Sequence, residues 1–382
     1  MAATILNGFL ETVASRWALL FLRGAFTLRE WRARRRLRAT ELGSLTPYVD
    51  LWRHAAEEIA AEFVALPGGL CEVRLGERVT RTWEQLVMLD DPVTLRIAGD
   101  KAFVHQLLAS HGLPVPVYRR FHWTRLGAAA AFVREQGEPC VVKPRCGTGG
   151  GAGVTTGVRT ATDLTLAAAY AAMYSAELLV ERQVPGDCYR LLYLDGTLLD
   201  AVRRHLPRVT GDGRSTIAQL IAAENRRRGR VAQRAVVDSL PADLDCRWAL
   251  RAAGWSLRAV PPAGREVVVR GATRWGGEAD NESVRAILGG PLIAEGARAA
   301  AALGVRLAGV DVMTSDPGRG LRASGGVITE VNTTPGLHYH YQVRNREAMV
   351  PVAVSILRSL LGGGANGPAR ALELEARACS RP

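Results

Sequence analysis

Apolar positions near the amino end recur at helical spacing. Phe9, Leu10, Val13, Trp17, Leu20 and Phe21 fall about three or four apart, which predicts a helical segment over residues 1 to about 42. From Pro47 to Gly99 the pattern is mixed, with a predicted helix over 50–64 and a short strand over 72–75, as in a small α/β prefix domain. Asp100 is a predicted N-cap. The helix it opens carries Lys101, Phe103, Val104, Leu107 and Leu108 and stops at Gly112, ahead of Pro114 and Pro116.

Beyond it, strands are expected at 140–143 and 154–158 with a glycine-rich loop between them, then an alanine-rich helix over 160–175 and a strand over 177–181. The runs 189–194 and 197–203 flank Asp195-Gly196, a hairpin signal. A helix near Ser215, a long alanine-rich helix over 283–303, strands over 309–313 and 327–332 and a helix over 347–361 complete the pattern. No internal repeat interrupts it. The expected organisation is therefore a helical segment 1–45, a prefix domain 46–99, a main α+β domain 100–362 and a loose tail 363–382.

Composition narrows the class. The apolar fraction of 48% is ample for a core, and no apolar run reaches the roughly 20 residues of a membrane span. The run Trp17-Ala18-Leu19-Leu20-Phe21-Leu22 is short and lacks a following cleavage-site pattern, so a signal peptide is not expected, and the six cysteines, with no C-x-x-C pair and no metal-ligand spacing, read as reduced thiols of a cytoplasmic protein. The net charge of +12 is local: seven arginines lie between 23 and 38, and five between 224 and 234. Without aromatic-interleaved basic motifs, nucleic-acid binding is not expected. The first cluster allows a membrane-surface helix, but a solvated helix packed on the protein or on a second copy is favoured.

Lysine usage carries the first chemical signal. Among 49 basic residues only Lys101 and Lys143 are lysine. Lysine is a compact point charge that reaches a single phosphate oxygen, where arginine presents a wide fork. Lys143 ends the apolar run Cys140-Val141-Val142-Lys143-Pro144, and Gly147-Thr148-Gly149-Gly150-Gly151-Ala152-Gly153 follows at once. Strand, lysine and glycine loop together describe a phosphate cradle. The second signal is oxygen-rich. Glu330 and Asn332 are two apart on one strand and share a face, with Asp311 on a neighbouring run. Two carboxylates and an amide oxygen suit Mg²⁺ better than zinc or iron.

Taken together, Lys101, Lys143 with its loop, Glu181-Arg182-Gln183-Val184, Asp311 and Glu330-x-Asn332 resemble the ATP-grasp superfamily, and within it the ATP-grasp domain of cyanophycin synthetase. The likeness covers about residues 95 to 360. It extends to Tyr189-Arg190-Leu191, Ala201-Val202-Arg203-Arg204, Val209-Thr210-Gly211-Asp212-Gly213 and Glu330-Val331-Asn332-x-x-Pro335-Gly336-Leu337. The resemblance implies two α+β subdomains clamping ATP, with a glycine-rich lid at about 118–188. It implies that Lys101, Lys143 and the loop glycines Gly149, Gly150 and Gly151 hold the phosphates, and that Glu181 and Val184 hold the adenine edge. Arg190, Arg203 and Arg204 would steady the γ-phosphate and the reacting oxyanion. Asp311, Glu330 and Asn332 would hold two Mg²⁺ ions, for which Mn²⁺ is an alternative.

The implied activity is carboxylate–amine ligation through an acyl phosphate, with small-molecule or peptide acids and amines as substrates, in a homo-oligomer. Two departures stand out. Where the family places a ribose-binding acid the chain has Cys188, so either Asp187, one position earlier, reaches the ribose of the nucleotide or that contact is weak. Where the family has a short substrate segment the chain reads Thr273-Arg274-Trp275-Gly276-Gly277, so a different substrate is expected. No second, P-loop-type ATP site is expected, because neither lysine has that context. His338 and His340 are candidate substrate contacts or bases, weighed evenly against packing at the site rim, and His205 is weighed the same way. Two competing functions remain: a modifier adding an amino acid to a peptide or protein terminus, and a non-enzymatic nucleotide-binding scaffold at a membrane.

Overall fold

The computed structural model describes residues 20, 21, 23–25, 27, 46–147, 151–231, 240, 242–273 and 278–362. Gly149 and Gly150, most of the amino-terminal segment, residues 274–277 and the tail after 362 therefore lie outside the described residues. The chain forms two compact units, one of Leu45–Leu89 with Pro351–Pro382, the other of Met1–Ser44 with Asp90–Val350. The smaller unit ends at Leu89, short of the expected 99, and takes in the helix Val352–Leu361 that the sequence reading assigned to the main domain.

The smaller unit holds α1 (Thr46–Glu57) and the antiparallel meander β1 (Glu62–Ala65), β2 (Leu70–Leu75), β3 (Arg78–Trp83) and β4 (Leu86–Val87). Trp52 is fully buried in it, and its indole N–H donates to the Glu84 carbonyl at 2.8 Å. The helix expected over 50–64 stops at Glu57, because Ala60 turns left-handed at φ 54° and Glu62 enters the sheet.

In the larger unit, α2 (Pro92–Ala98) and α3 (Lys101–Ser110) come first. Asp100 caps α3 as expected, accepting from the N–H groups of Ala102 and Phe103 at 3.1 and 3.3 Å. An antiparallel sheet follows in the order β5-β8-β6-β7, formed by β5 (Tyr118–His122), β6 (Cys140–Pro144), β7 (Thr155–Val158) and β8 (Glu177–Arg182). The helices α4 (Gly127–Gln136) and α5 (Ala161–Ala171) cover one face, burying Phe121, Val142, Leu178 and Val180 among alanines. A capping box between Thr160 and Asp163 starts α5. Lys143 and Glu181 alternate with those core residues, so they project from the uncovered face.

The second sheet combines β9 (Asp187–Leu194), β10 (Thr197–Arg204), β13 (Asn281–Ser283), β14 (Leu307–Thr314) and β15 (Val327–Asn332) in the order β13-β10-β9-β14-β15. Asp195 and Gly196 make the β9–β10 hairpin with φ of 50° and 78°, the left-handed pair that this two-residue turn requires. Between β10 and β13 the chain builds a small cluster from β11 (Arg208–Thr210), α6 (Ile217–Val231), α7 (Leu244–Ala252) and β12 (Glu266–Val268). The helix α8 (Gly290–Leu303) and the short α9 (Leu321–Ser324) complete one face of the sheet, and α10 (His338–Tyr341) follows β15. Residues 281–283 pair with β10 as a strand, so the helix expected over 283–303 starts only at Gly290, with Pro291 in its first turn. Tyr189, Leu191, Ala201, Val310 and Ile328 fill the core between the sheet, α3 and α8. Among the described residues no helix is long and apolar enough to cross a membrane.

Candidate active site

The site lies on the sheet face turned away from that core. Arg190 on β9 stands opposite Asp311 on β14, which stands opposite Glu330 on β15. In an antiparallel pair, opposed residues share a face, so the three side chains form one row. Arg190 grips Asp311 with both arms of its fork: Nε meets Oδ1, and Nη2 donates to Oδ2 at 2.7 Å. Both side chains are almost fully buried, and the carboxylate holds the guanidinium pKa above its ordinary value against the opposing effect of burial. Asn332, one row along, donates to Asp311 at 3.4 Å and to the Gly309 carbonyl at 3.3 Å.

Arg204 joins from β10. One arm donates to the Thr273 carbonyl at 3.0 Å and the other lies 3.9 Å from Asp311. Its guanidinium sits 4.4 Å above the Tyr339 ring, and that of Arg190 is 5.8 Å from the same ring. His338 packs on Tyr339 with ring centroids 4.0 Å apart. Burial, reinforced by Arg204 and Arg190, pushes the His338 pKa down to about 3, so its imidazole is neutral at neutral pH.

The lysines arrive from two other elements. Lys101 begins α3 and lies 3.4 Å from Glu330; Lys143 on β6 lies 2.7 Å from Glu181 on β8. His105 stands one turn along α3 from Lys101 and lies between the two pairs. Its Nδ1 is 3.5 Å from Glu181 and its Nε2 is 3.1 Å from the Thr329 carbonyl, next to Glu330. Desolvation lowers its pKa, which keeps this deeply buried ring neutral. The sequence reading did not single out His105, although its i+4 spacing from Lys101 placed it on the same helical face.

Gly151, the described glycine of the expected trio, adopts φ 82°. At Gly153 a side-chain Cβ would come 2.7 Å from Tyr174 and 2.8 Å from Pro144, so the loop closes against the end of β6 only without one. Val184 is nearly buried just after β8.

Three expected members, Arg203, Asp187 and His340, are elsewhere. Arg203 stands opposite Tyr189, a core residue, so it projects from the reverse face of the sheet; there it pairs with Asp187 at 2.5 Å. The sequence showed two adjacent arginines, but strand alternation sends only Arg204 to the site. His340 is fully buried, with Nδ1 2.8 Å from the equally buried Asp200. Its packed position excludes it from substrate contact. His205 pairs with Glu282 at 3.1 Å.

The oxygen donors fit a hard divalent cation in kind. Asp311, Glu330 and Asn332 adjoin, but Asp311 is largely committed to Arg190. Among the described residues no group of three histidine, cysteine, aspartate or glutamate side chains could hold a metal alone. A cation here needs further oxygens, such as those of phosphates, to complete its shell.

Two antiparallel sheets with lysines converging between them are the mark of an ATP-grasp protein, and comparison with solved structures agrees. A bifunctional glutathione synthetase from Pasteurella multocida superposes with a TM-score of 0.52 over 81% of this chain and 44% of its own, at 19% identity. No family model matches the chain. By sequence the chain is related to the cyanophycin synthetases: that of Trichormus variabilis is 32% identical over 274 residues, 70% of this chain and 30% of its own length. The glutathione biosynthesis bifunctional protein GshAB of Streptococcus mutans is 29% identical over 250 residues, 63% of this chain and 32% of its own. The chain thus spans about a third of the length of the curated relatives it matches.

Proposed function

We propose that the chain is an ATP-dependent ligase that joins a carboxylate to an amine and releases ADP and phosphate. One observation carries this reading: the pairs Lys143–Glu181 and Lys101–Glu330, with His105 lying between them, bring the chain's two lysines to one site from different elements. The relatives it matches are ATP-grasp carboxylate–amine ligases, which supports the same reading.

In this scheme Lys101 and Lys143 exchange their carboxylate partners for phosphate oxygens, which their compact heads reach singly. Glu181 and the backbone at Val184 face the adenine. Glu330, Asn332 and one oxygen of Asp311 would hold Mg²⁺, which when bound neutralises charge on the phosphates. We infer two ions, as the resemblance implies, with Mn²⁺ able to substitute. Arg190 and Arg204, stacked on Tyr339, orient the acid and receive negative charge that develops on its carbonyl oxygen. Arg203 and Asp187 have no part in this, since they lie on the reverse face.

A free carboxylate resists attack by an amine because oxide is a poor leaving group. A carboxylate oxygen therefore attacks the γ-phosphorus as the bond to ADP breaks, and the amine then attacks the acyl carbon as phosphate leaves. The acid and amine are small molecules or peptides, and the described cysteines, all free thiols, suit a cytoplasmic setting.

The test is the fate of oxygen. With ¹⁸O in the acid's carboxyl group, one label should appear in released phosphate, and hydroxylamine should trap the activated acid when the amine is withheld. Label in AMP would replace the acyl phosphate with an adenylate. ADP release that depends on no acid–amine pair would refute the ligase reading.

A further inference from the structure

Between β12 and the site runs a four-residue stretch, Arg270 to Thr273, that touches three separate parts of the larger unit. At its start, Arg270 is almost fully buried and lies 2.9 Å from Asp243 and 3.0 Å from Asp245, both at the amino end of α7. In the middle, Gly271 presses on the lid strand β7, where a Cβ would come 2.2 Å from the Thr156 hydroxyl. At its end, the Thr273 carbonyl accepts from Arg204, and its hydroxyl lies 3.8 Å from the Cys188 thiol.

A buried guanidinium shared by two carboxylates is costly to assemble and fixes geometry once made. Asp243 also caps α7 by accepting from the Cys246 N–H at 3.1 Å, so one end of the anchor belongs to the small cluster of β11, α6, α7 and β12. The anchor also fixes the Thr273 carbonyl. That carbonyl takes one arm of Arg204, the guanidinium that Asp311 reaches only at 3.9 Å.

We propose that residues 270–273 form a strap that sets the position of Arg204 and ties it to the lid strand β7, with Asp243, Asp245 and Arg270 as the positioning residues that hold the strap. The inference rests on the ligase reading for its catalytic consequence alone. The strap acts on the step that Arg204 serves, orientation of the acid and charge on its carbonyl oxygen. It does not act on ATP affinity, which falls to the lysines and the glycine loop.

The full chain carrying Gly271→Ala tests this by size. Its new methyl group must push the strap off Thr156, so kcat at saturating ATP should fall about tenfold or more while the Kd for ATP stays within about twofold, the pattern of an interaction used after nucleotide binding. Thr156→Ala removes the hydroxyl that the methyl would strike. It should restore activity in the double variant and leave it unchanged alone. Wild-type kcat in Gly271→Ala, a parallel loss of ATP affinity, or failure of the double variant to recover would each overturn the proposal.

A second readout needs no substrate. Hydrogen exchange at residues 271–273 should quicken about tenfold or more both in Asp245→Ala, at one end of the strap, and in Arg204→Met, at the other. Exchange unchanged in Arg204→Met would show that strap and guanidinium are uncoupled, whatever reaction the protein catalyses. A wild-type chain that forms no ligation product but shows this coupled exchange would refute the ligase reading and leave the strap standing.

Discussion

Lys143 and Arg190 show how differently two cations can be used in one site. Lys143 meets Glu181 through a single ammonium in a confined space. Lys143→Arg should therefore weaken ATP binding at least about tenfold, or about 1.4 kcal/mol, because the wide planar head cannot reach one oxygen beside the glycine loop. Equilibrium nucleotide binding checks it, and unchanged affinity would make the chain's lysine usage a coincidence. Arg190 instead is locked by Asp311 in a forked pair. That pair separates two substitutions that the sequence alone treats as equivalent. Glu330→Gln should keep the fold and lose nearly all activity, since it removes a partly exposed carboxylate from the proposed cation-holding set. Asp311→Asn should lose activity and also about 3 to 5 kcal/mol of stability, because it strips a buried guanidinium of its counter-charge. Denaturant titration of the two proteins side by side distinguishes them.

Among the elements, the β9–β10 hairpin does the most for the site. It places Arg190 and Arg204 on neighbouring strands with their side chains on one face. Its turn depends on a left-handed pair, and Gly196 at φ 78° is the residue that tolerates this without a Cβ. Gly196→Val should cost about 1 to 3 kcal/mol in thermal or chemical denaturation, as a β-branched residue is forced into that region. A variant as stable as wild type would show that the sheet, and not the turn, sets the register. The short α10 acts similarly. The buried His340–Asp200 pair pins it to β10 and so holds Tyr339 under the two guanidiniums.

For the whole molecule, two buried titratable groups should oppose one another in acid. Burial, only partly offset by Arg270, raises the Asp245 carboxyl from 3.8 to about 6. Between those values the native state holds a proton that the unfolded chain releases, so stability falls as pH rises through the window, by roughly 2 to 3 kcal/mol in all. His338 works in the other direction. With its pKa lowered from 6.5 to about 3, the unfolded chain takes a proton that the native state refuses, so stability is lost as pH falls between those values. The residue as a whole is only half-buried, which reduces the effect. Relative to wild type, lowering the pH from 6 to 4 should cost Asp245→Asn more stability and His338→Gln less. Identical pH profiles for all three would dismiss both assignments.

Much of this protein is legible in its sequence, and the reason is local. Asp100 as a cap, Asp195-Gly196 as a hairpin and Lys143 before a glycine loop each work within a few residues, so spacing and side-chain chemistry determine them. Local pattern failed where the sheet took over, as at 281–283, which is a strand because β10 offers it an edge, and at 62–65, where β2 does the same. The site divides along the same line. Lys101, Lys143, Glu181, Asp311, Glu330 and Asn332 stand out in the sequence because their types suit phosphate and cation chemistry, and the fold brings Lys101 to Glu330, Lys143 to Glu181 and Asp311 beside Glu330. Which arginine faces the site, that Arg190 pairs with Asp311, that His105 lies between the two lysine pairs and that His340 is walled in with Asp200 are matters of register and burial between segments far apart in the chain. Only the tertiary structure decides them, since no local sequence rule specifies which strands become neighbours.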